Sequence, residues 1–209
     1  MAVNEQQLPV VKFKSDSAAR LAVLATVDAD LECVVSCCER MQGLRDAEQD
    51  SVLLRAMWTA ALVAYVRAIW DPRREWLRSR FEQRIAEFEG EPLDLHAWLK
   101  DMRDKHVAHD VNPFSEFLVG LILPPETVAE GDVQGVATFG RIFIGSAEQA
   151  KDISAIARAL RSVVSTLYDQ VRHDVQAEAS AIGLPKLRKL ERLRSYVPGP
   201  ESATKPRRQ

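Results

Sequence analysis

The densest concentration of reactive side chains lies in the run His96-Ala97-Trp98-Leu99-Lys100-Asp101-Met102-Arg103-Asp104-Lys105-His106-Val107-Ala108-His109-Asp110, which holds three of the chain's four histidines. Histidine, with an unperturbed pKa of about 6.5, takes up and returns a proton near neutral pH. Arginine cannot serve as a base, but its fixed fork of donors matches phosphate and the negative charge that builds there in a transition state. Arg103 with His106 or His109 therefore has the parts needed for phosphoryl chemistry. Read as an α-helix of about 100° per residue, His106 stands about 60° and His109 about 120° from Arg103, both on the apolar face with Leu95, Trp98 and Met102. Two other readings use the same residues: histidines hydrogen-bonded inside a core with Arg103 paired to Asp110 or Asp101, and a metal site of His106, His109 and Asp110, for which no fourth ligand is evident. The fourth histidine, His173, sits between Arg172 and Asp174 and reads as a solvated surface residue.

Those residues must be held by the elements around them. Leu21, Leu24, Val27, Leu31, Val34, Val35 and Cys38 recur every three or four residues and predict a helix from about Asp16 to Gly43. A second helix starts near Asp50, a suitable cap, and its wide stripe through Leu54, Trp58, Leu62, Tyr65 and Ile69 predicts a central position before the Asp71-Pro72 step halts it. The third, from about Pro72 to Phe88, is dense in arginine and closes at Gly90, and the fourth runs from about Leu93 to His109. Tyr65, Arg67 and Trp70 at the end of the second helix line a pocket or form the core and rim of a helix face.

Beyond the histidines the period changes. Residues 116–123 and 136–144 are short, β-rich runs bounded by Pro124-Pro125 and Gly145, which predicts one antiparallel hairpin at about 114–144. An isolated hairpin is marginal, so its apolar face requires a helix or another subunit over it. Ile153, Ile156, Leu160, Val163, Val164, Leu167, Val171 and Val175 then march at helical spacing from a cap at Ser146 to Gly183. The expectation is a mostly α fold, a bundle of four to five helices with one inserted β-hairpin over residues 16–183, preceded by an extension at 1–15 and followed by a basic helix and tail at 184–209.

The 209 residues are 46% hydrophobic, which suits one sizeable core and excludes disorder throughout. A net charge of -2 rules out binding to nucleic acid or anionic lipid by overall charge alone. The charge is unevenly spread, however, because residues 186–209 carry eight basic against two acidic side chains, +6 on a body of -8. Such a tail suits a phosphate backbone and equally keeps a chain in solution. No apolar run nears the roughly 20 residues of a membrane span and the first residues lack the form of a secretion signal, so a cytoplasmic location without membrane contact is expected. Cys33, Cys37 and Cys38 fall within six residues on one helix, where bridging strains the backbone, and they read as reduced packing residues. Neither metal nor cofactor is expected.

Arg103 and Asp104, with His109 after five intervening residues, resemble the motif of the HEPN superfamily, an arginine usually followed by a polar residue and then a histidine. The longer phrase Arg-Asp-Lys-His-Val-Ala-His, followed by Asn112-Pro113-Phe114 and an apolar strand, is similar to HEPN-like proteins of the abortive-infection or toxin type, as is Trp58 through Tyr65-Val66-Arg67 in the second helix. The resemblance spans roughly residues 20–180. It implies a HEPN-like bundle and a metal-independent ribonuclease, in which two protomers set their arginines and histidines across a shared cleft and RNA is cut through attack by its own 2'-hydroxyl. Arg103, Asp104, His109 and His106 are then the catalytic candidates. Lys105, Arg67, Arg73 and Arg74 are the candidates for holding the RNA backbone. A homodimer follows, with an antitoxin or other protein as a further partner. The rival is a non-enzymatic helical module that binds a protein through the hairpin or tail.

Overall fold

The computed structural model describes residues 10–45, 51–107, 115–125, 133–142 and 144–193. Their elements in chain order are α1 (Asp16–Arg45), α2 (Ser51–Trp70), a 3₁₀ turn (Pro72–Arg74), α3 (Glu75–Ile85), α4 (Pro92–Met102), a π-helical turn (Arg103–Val107), β1 (Ser115–Ile122), β2 (Gly135–Ile142), α5 (Ala147–Ile182) and α6 (Leu184–Leu187). The protein is mostly α with one inserted β-hairpin. By its contacts the chain divides into two compact units, Val27–Val163 and the pair of segments Met1–Thr26 and Val164–Gln209.

The larger unit is built on α2. Leu54, Trp58, Leu62, Tyr65 and Ile69 are buried along it, and it packs against α3 and α4, which contribute Leu77, Phe81, Ile85, Leu99 and Met102. Among the described residues α2 is the one helix long and apolar enough, by length and composition, to cross a membrane. Half of that stretch is buried within the protein, as befits the core helix of a bundle. The Asp71-Pro72 step ends it as expected. The Asp71 carboxylate accepts from the N–H of Arg73 at 3.0 Å, and Pro72, which lacks an N–H, occupies the first position of the 3₁₀ turn.

The start of α5 is a capping box. Ser146 Oγ accepts from the N–H of Gln149 at 3.0 Å, and Gln149 Oε1 accepts from the N–H of Ser146 at 2.7 Å, so two otherwise orphaned donors are satisfied reciprocally. Just before it Gly145 is buried against Trp58, where a Cβ would lie only 2.4 Å from the indole ring. Glycine is what lets the chain pass that close to α2. Arg161 of α5 pairs with Asp28 (Nε to Oδ1, 2.9 Å) and Glu32 of α1, and Arg158 pairs with Glu39, so the polar flanks of these two helices are tied by ion pairs.

Strands β1 and β2 pair antiparallel, with Leu118 opposite Phe139, Val119 opposite Thr138 and Leu121 opposite Val136. The hairpin appears where the two short, β-rich runs call for it. What the sequence asks for and the described residues do not provide is a cover over its apolar face. Leu118, Phe139 and Ile122 on one face and Val119, Leu121 and Val136 on the other are all exposed, from 47% at Ile122 to 71% at Val119.

In the smaller unit, residues of the α1 N-terminal turns meet the distal part of α5. Ser17 Oγ donates to Glu178 Oε1 at 2.7 Å, and hydrogen bonds from Ser15 first and then Ser17 hold the Glu178 carboxyl below its ordinary pKa. Gly183, at φ +85°, ends α5 in a conformation that a side chain resists. The chain then returns to pair with its own beginning. Leu193 N–H donates to Val10 O (2.8 Å), Lys12 N–H to Glu191 O (2.7 Å), and Lys12 Nζ meets Glu191 Oε1 at 2.6 Å. The tail beyond Leu193, including the basic residues from Arg194 onward, lies outside the described residues.

Candidate functional site

Leu99 and Met102 are buried and anchor the last turn of α4. Directly after them the helix widens. A continuous α-helix to His109 is expected from the periodicity, whereas α4 ends at Met102 and Arg103–Val107 form a π turn with i to i+5 bonding. The wider turn invalidates the 100° step used to place His106 relative to Arg103. It also marks this stretch as irregular, and π turns inside helices recur at functional sites.

Arg103 begins the π turn with a partly exposed side chain, and its Nε lies 3.0 Å from Asp104 Oδ1. Lys100 Nζ donates to the other oxygen, Oδ2, at 2.8 Å. One carboxylate therefore holds two cations beside each other at the end of α4. Lys105 faces away, its Nζ 3.1 Å from Asp101 Oδ2 across one helical turn. The backbone of His106 belongs to the same π turn, and its side chain, like all of His109 and Asp110, lies outside the described residues. Both the ribonuclease pairing and the three-residue metal set fall partly there. Among the described residues no cluster of three His, Cys, Asp or Glu side chains suits a metal ion.

The arginines considered as backbone holders serve different purposes. Asp30 of α1 is 3% exposed and receives Arg67 Nε at 3.0 Å on Oδ1, with a second contact from Arg67 Nη2, and Arg74 Nη1 at 2.8 Å on Oδ2. Arg74 is itself 3% exposed and its Nη1 also donates to the Arg67 carbonyl at 2.5 Å. A charge taken out of water needs a partner, and Asp30 supplies one to both arginines. Arg74 consequently works inside the fold and presents nothing to a polyanion, a correction to its placement as an RNA contact. Arg67 keeps its side chain largely exposed while one edge of its guanidinium is held by Asp30, which raises its pKa. Arg73 is exposed and bidentate to Asp71, Nε to Oδ1 at 3.0 Å and Nη2 to Oδ2 at 2.6 Å. That contact is the main cause of the Asp71 pKa falling to about 2.

His96 is the histidine the structure puts in the core. Its ring is 5% exposed, its Nδ1 lies 2.9 Å from Tyr65 Oη, and it stacks on Trp70. Burial, helped by the charge of Arg78, pushes its pKa down to about 4. It is neutral at physiological pH. Its Nε2 and the nearby Arg78 Nε are buried without a hydrogen-bond partner among the described residues. Burial likewise raises the Tyr65 hydroxyl well above its ordinary value. Tyr65 and Trp70 thus line the His96 ring and not an open pocket. The cysteines behave as packing residues: Cys38 is buried with its pKa pushed up to about 12, and burial and the neighbouring Cys33 push Cys37 up to about 11, so both stay thiols.

Asp30 and Arg78 escaped the sequence reading. Asp30 carried a signal, since it interrupts the apolar stripe of Val27, Leu31 and Val34, and a carboxylate on a buried face requires a cationic partner. Arg78 carried none that separates it from the other arginines of α3. Compared with known proteins, the chain matches no family model, no curated protein and no solved structure.

Proposed function

We propose that this protein is a HEPN-type, metal-independent ribonuclease or RNA-binding protein of a defence or toxin system, acting in the cytoplasm as a homodimer. The observation that carries the reading is the end of α4, where Arg103, partly exposed and flanked by the Asp104 carboxylate, opens an irregular turn that contains His106 and leads to His109. In this mechanism a histidine takes the proton of the RNA 2'-hydroxyl as its oxygen attacks the adjacent phosphorus. The bond to the 5'-oxygen breaks, and the departing oxygen receives a proton from a second histidine across the dimer. Arg103 holds the phosphoryl oxygens as their charge grows. Asp104 orients Arg103 from the side, and Lys105, Arg67 and Arg73 lie on exposed surface suited to the RNA backbone once their carboxylate partners yield.

The test is cleavage of RNA by the purified full chain in the presence of a metal chelator. Activity that survives chelation and disappears in Arg103→Ala supports the reading, and intact RNA with wild-type protein across pH 6 to 8 removes it. The second reading, a non-enzymatic module that binds an antitoxin or another protein, is favoured by the exposed apolar hairpin.

A further inference from the structure

The hairpin has the composition of an interior element and the exposure of a surface one. Strands covered on one face alternate apolar and polar residues, whereas the β1 sequence Phe117-Leu118-Val119-Gly120-Leu121-Ile122 is apolar without alternation, as in strands covered on both faces. In the structure the described side chains of both faces are open to solvent. Leu118, Ile122 and Phe139 on one face and Val119, Leu121 and Val136 on the other, with Leu123 and Val133 at the strand ends, leave the hairpin apolar and open on both sides, the condition in which an unprotected strand edge recruits another strand.

We propose that the occupant is a second copy of this chain, and that the hairpin is a dimerisation arm whose β1 edge pairs antiparallel with the β1 edge of its twin. Three features select that occupant. The two strands contain only one acidic and one basic residue, Glu116 and Arg141, which are register partners, so the surface is neutral and its best complement is another neutral, apolar, strand-shaped surface. Neither strand contains proline or lysine, the residues that commonly keep sheet edges apart. Antiparallel pairing of one edge with itself is closed by a twofold axis, so it stops at a dimer and turns a marginal two-stranded hairpin into a four-stranded sheet. Strand β1 is the better edge because β2 begins on Gly135 and is interrupted by Gly140, while the single glycine of β1, Gly120, is covered by the Phe139 ring, 3.1 Å from where a Cβ would stand. The inference rests on the homodimer of the reading above and not on its chemistry.

Val119, near the centre of β1, provides the experiment. Sedimentation of the full chain at micromolar concentration should show a dimer. Val119→Lys and Val119→Glu should each raise the dimer dissociation constant by about 100-fold or more, since like charges then face each other across the twofold, and mixing the two variants should restore a heterodimer. Because Val119 is exposed, the circular dichroism spectrum of each variant should stay that of the wild type. A monomeric wild type, whether or not it binds some other protein, overturns the proposal. So do variants that remain dimeric, or a mixture that stays monomeric. A dimer that behaves as described but leaves RNA intact removes the ribonuclease and keeps the arm.

Discussion

His96 stacks on Trp70 with ring centroids 4.2 Å apart and 26° between the planes. A neutral imidazole suits that contact and its bond to Tyr65, and the buried position penalises the charged form. In the unfolded chain the same histidine titrates near 6.5. Between that value and about 4 the unfolded state binds the extra proton and the folded state does not, so stability rises with pH across this window. Lowering the pH from 7 to 4 should remove roughly 3 kcal/mol through this one group. Denaturant unfolding of wild type and His96→Phe at several pH values checks it, and an unchanged slope in the variant would contradict it.

The Asp30 carboxylate should be the most expensive surface-distant charge to remove. Asp30→Ala leaves the buried Arg74 with only the more distant Asp71, 3.9 Å from its Nε, as a charge partner, and the expected loss is about 3 kcal/mol. Arg74→Met in the same background should recover part of that loss, because the buried charge goes too. A double-mutant cycle measures the coupling, expected at about 1–3 kcal/mol, and strict additivity would mean that the two groups do not depend on one another.

Gly145→Ala places a methyl group against the Trp58 ring. Overpacking of this kind should destabilise by about 1–3 kcal/mol, read as a lower melting temperature. Trp58→Leu in the same chain should relieve part of the effect, whereas the same deficit in both backgrounds would locate the strain elsewhere.

Arg103→Ala and His109→Ala should each abolish RNA cleavage while leaving the melting temperature nearly unchanged, since Arg103 is partly exposed and paired only at the surface. His106→Ala is the comparison that identifies the working histidine. Greater damage from His106 than from His109 would show that the residue within the π turn, and not the one at the family spacing, handles the proton.

Much of this architecture is legible in the residues. Two short, β-rich runs on either side of Pro124-Pro125 announce the hairpin, the Asp71-Pro72 step announces the end of α2, and Ser146 announces α5, because proline, caps and composition act locally. The π turn is not legible in the same way. Arg103-Asp104-Lys105-His106-Val107 contains neither proline nor glycine, and nothing in four charged or polar residues and one valine distinguishes a widened turn from an ordinary one. The partners of Asp30 and His96 are equally hidden, since Arg74 and Tyr65 stand 44 and 31 residues away and meet them only through packing of whole helices. Residue types pointed to a site at the end of α4. Which arginines are free to serve it depended on distances that no spacing encodes.

The pairing of Val10–Lys12 with Glu191–Leu193 joins residues 179 positions apart. Closing a loop of that length from a flexible chain opposes the contact by roughly 5 kcal/mol of entropy, more than a few exposed hydrogen bonds return. The two ends can therefore meet only after the helices between them have shortened the path, so this small ladder should zip after the helices it joins have formed. Because its residues are mostly exposed, the ladder should exchange its amide hydrogens well before the buried turns of α2 do.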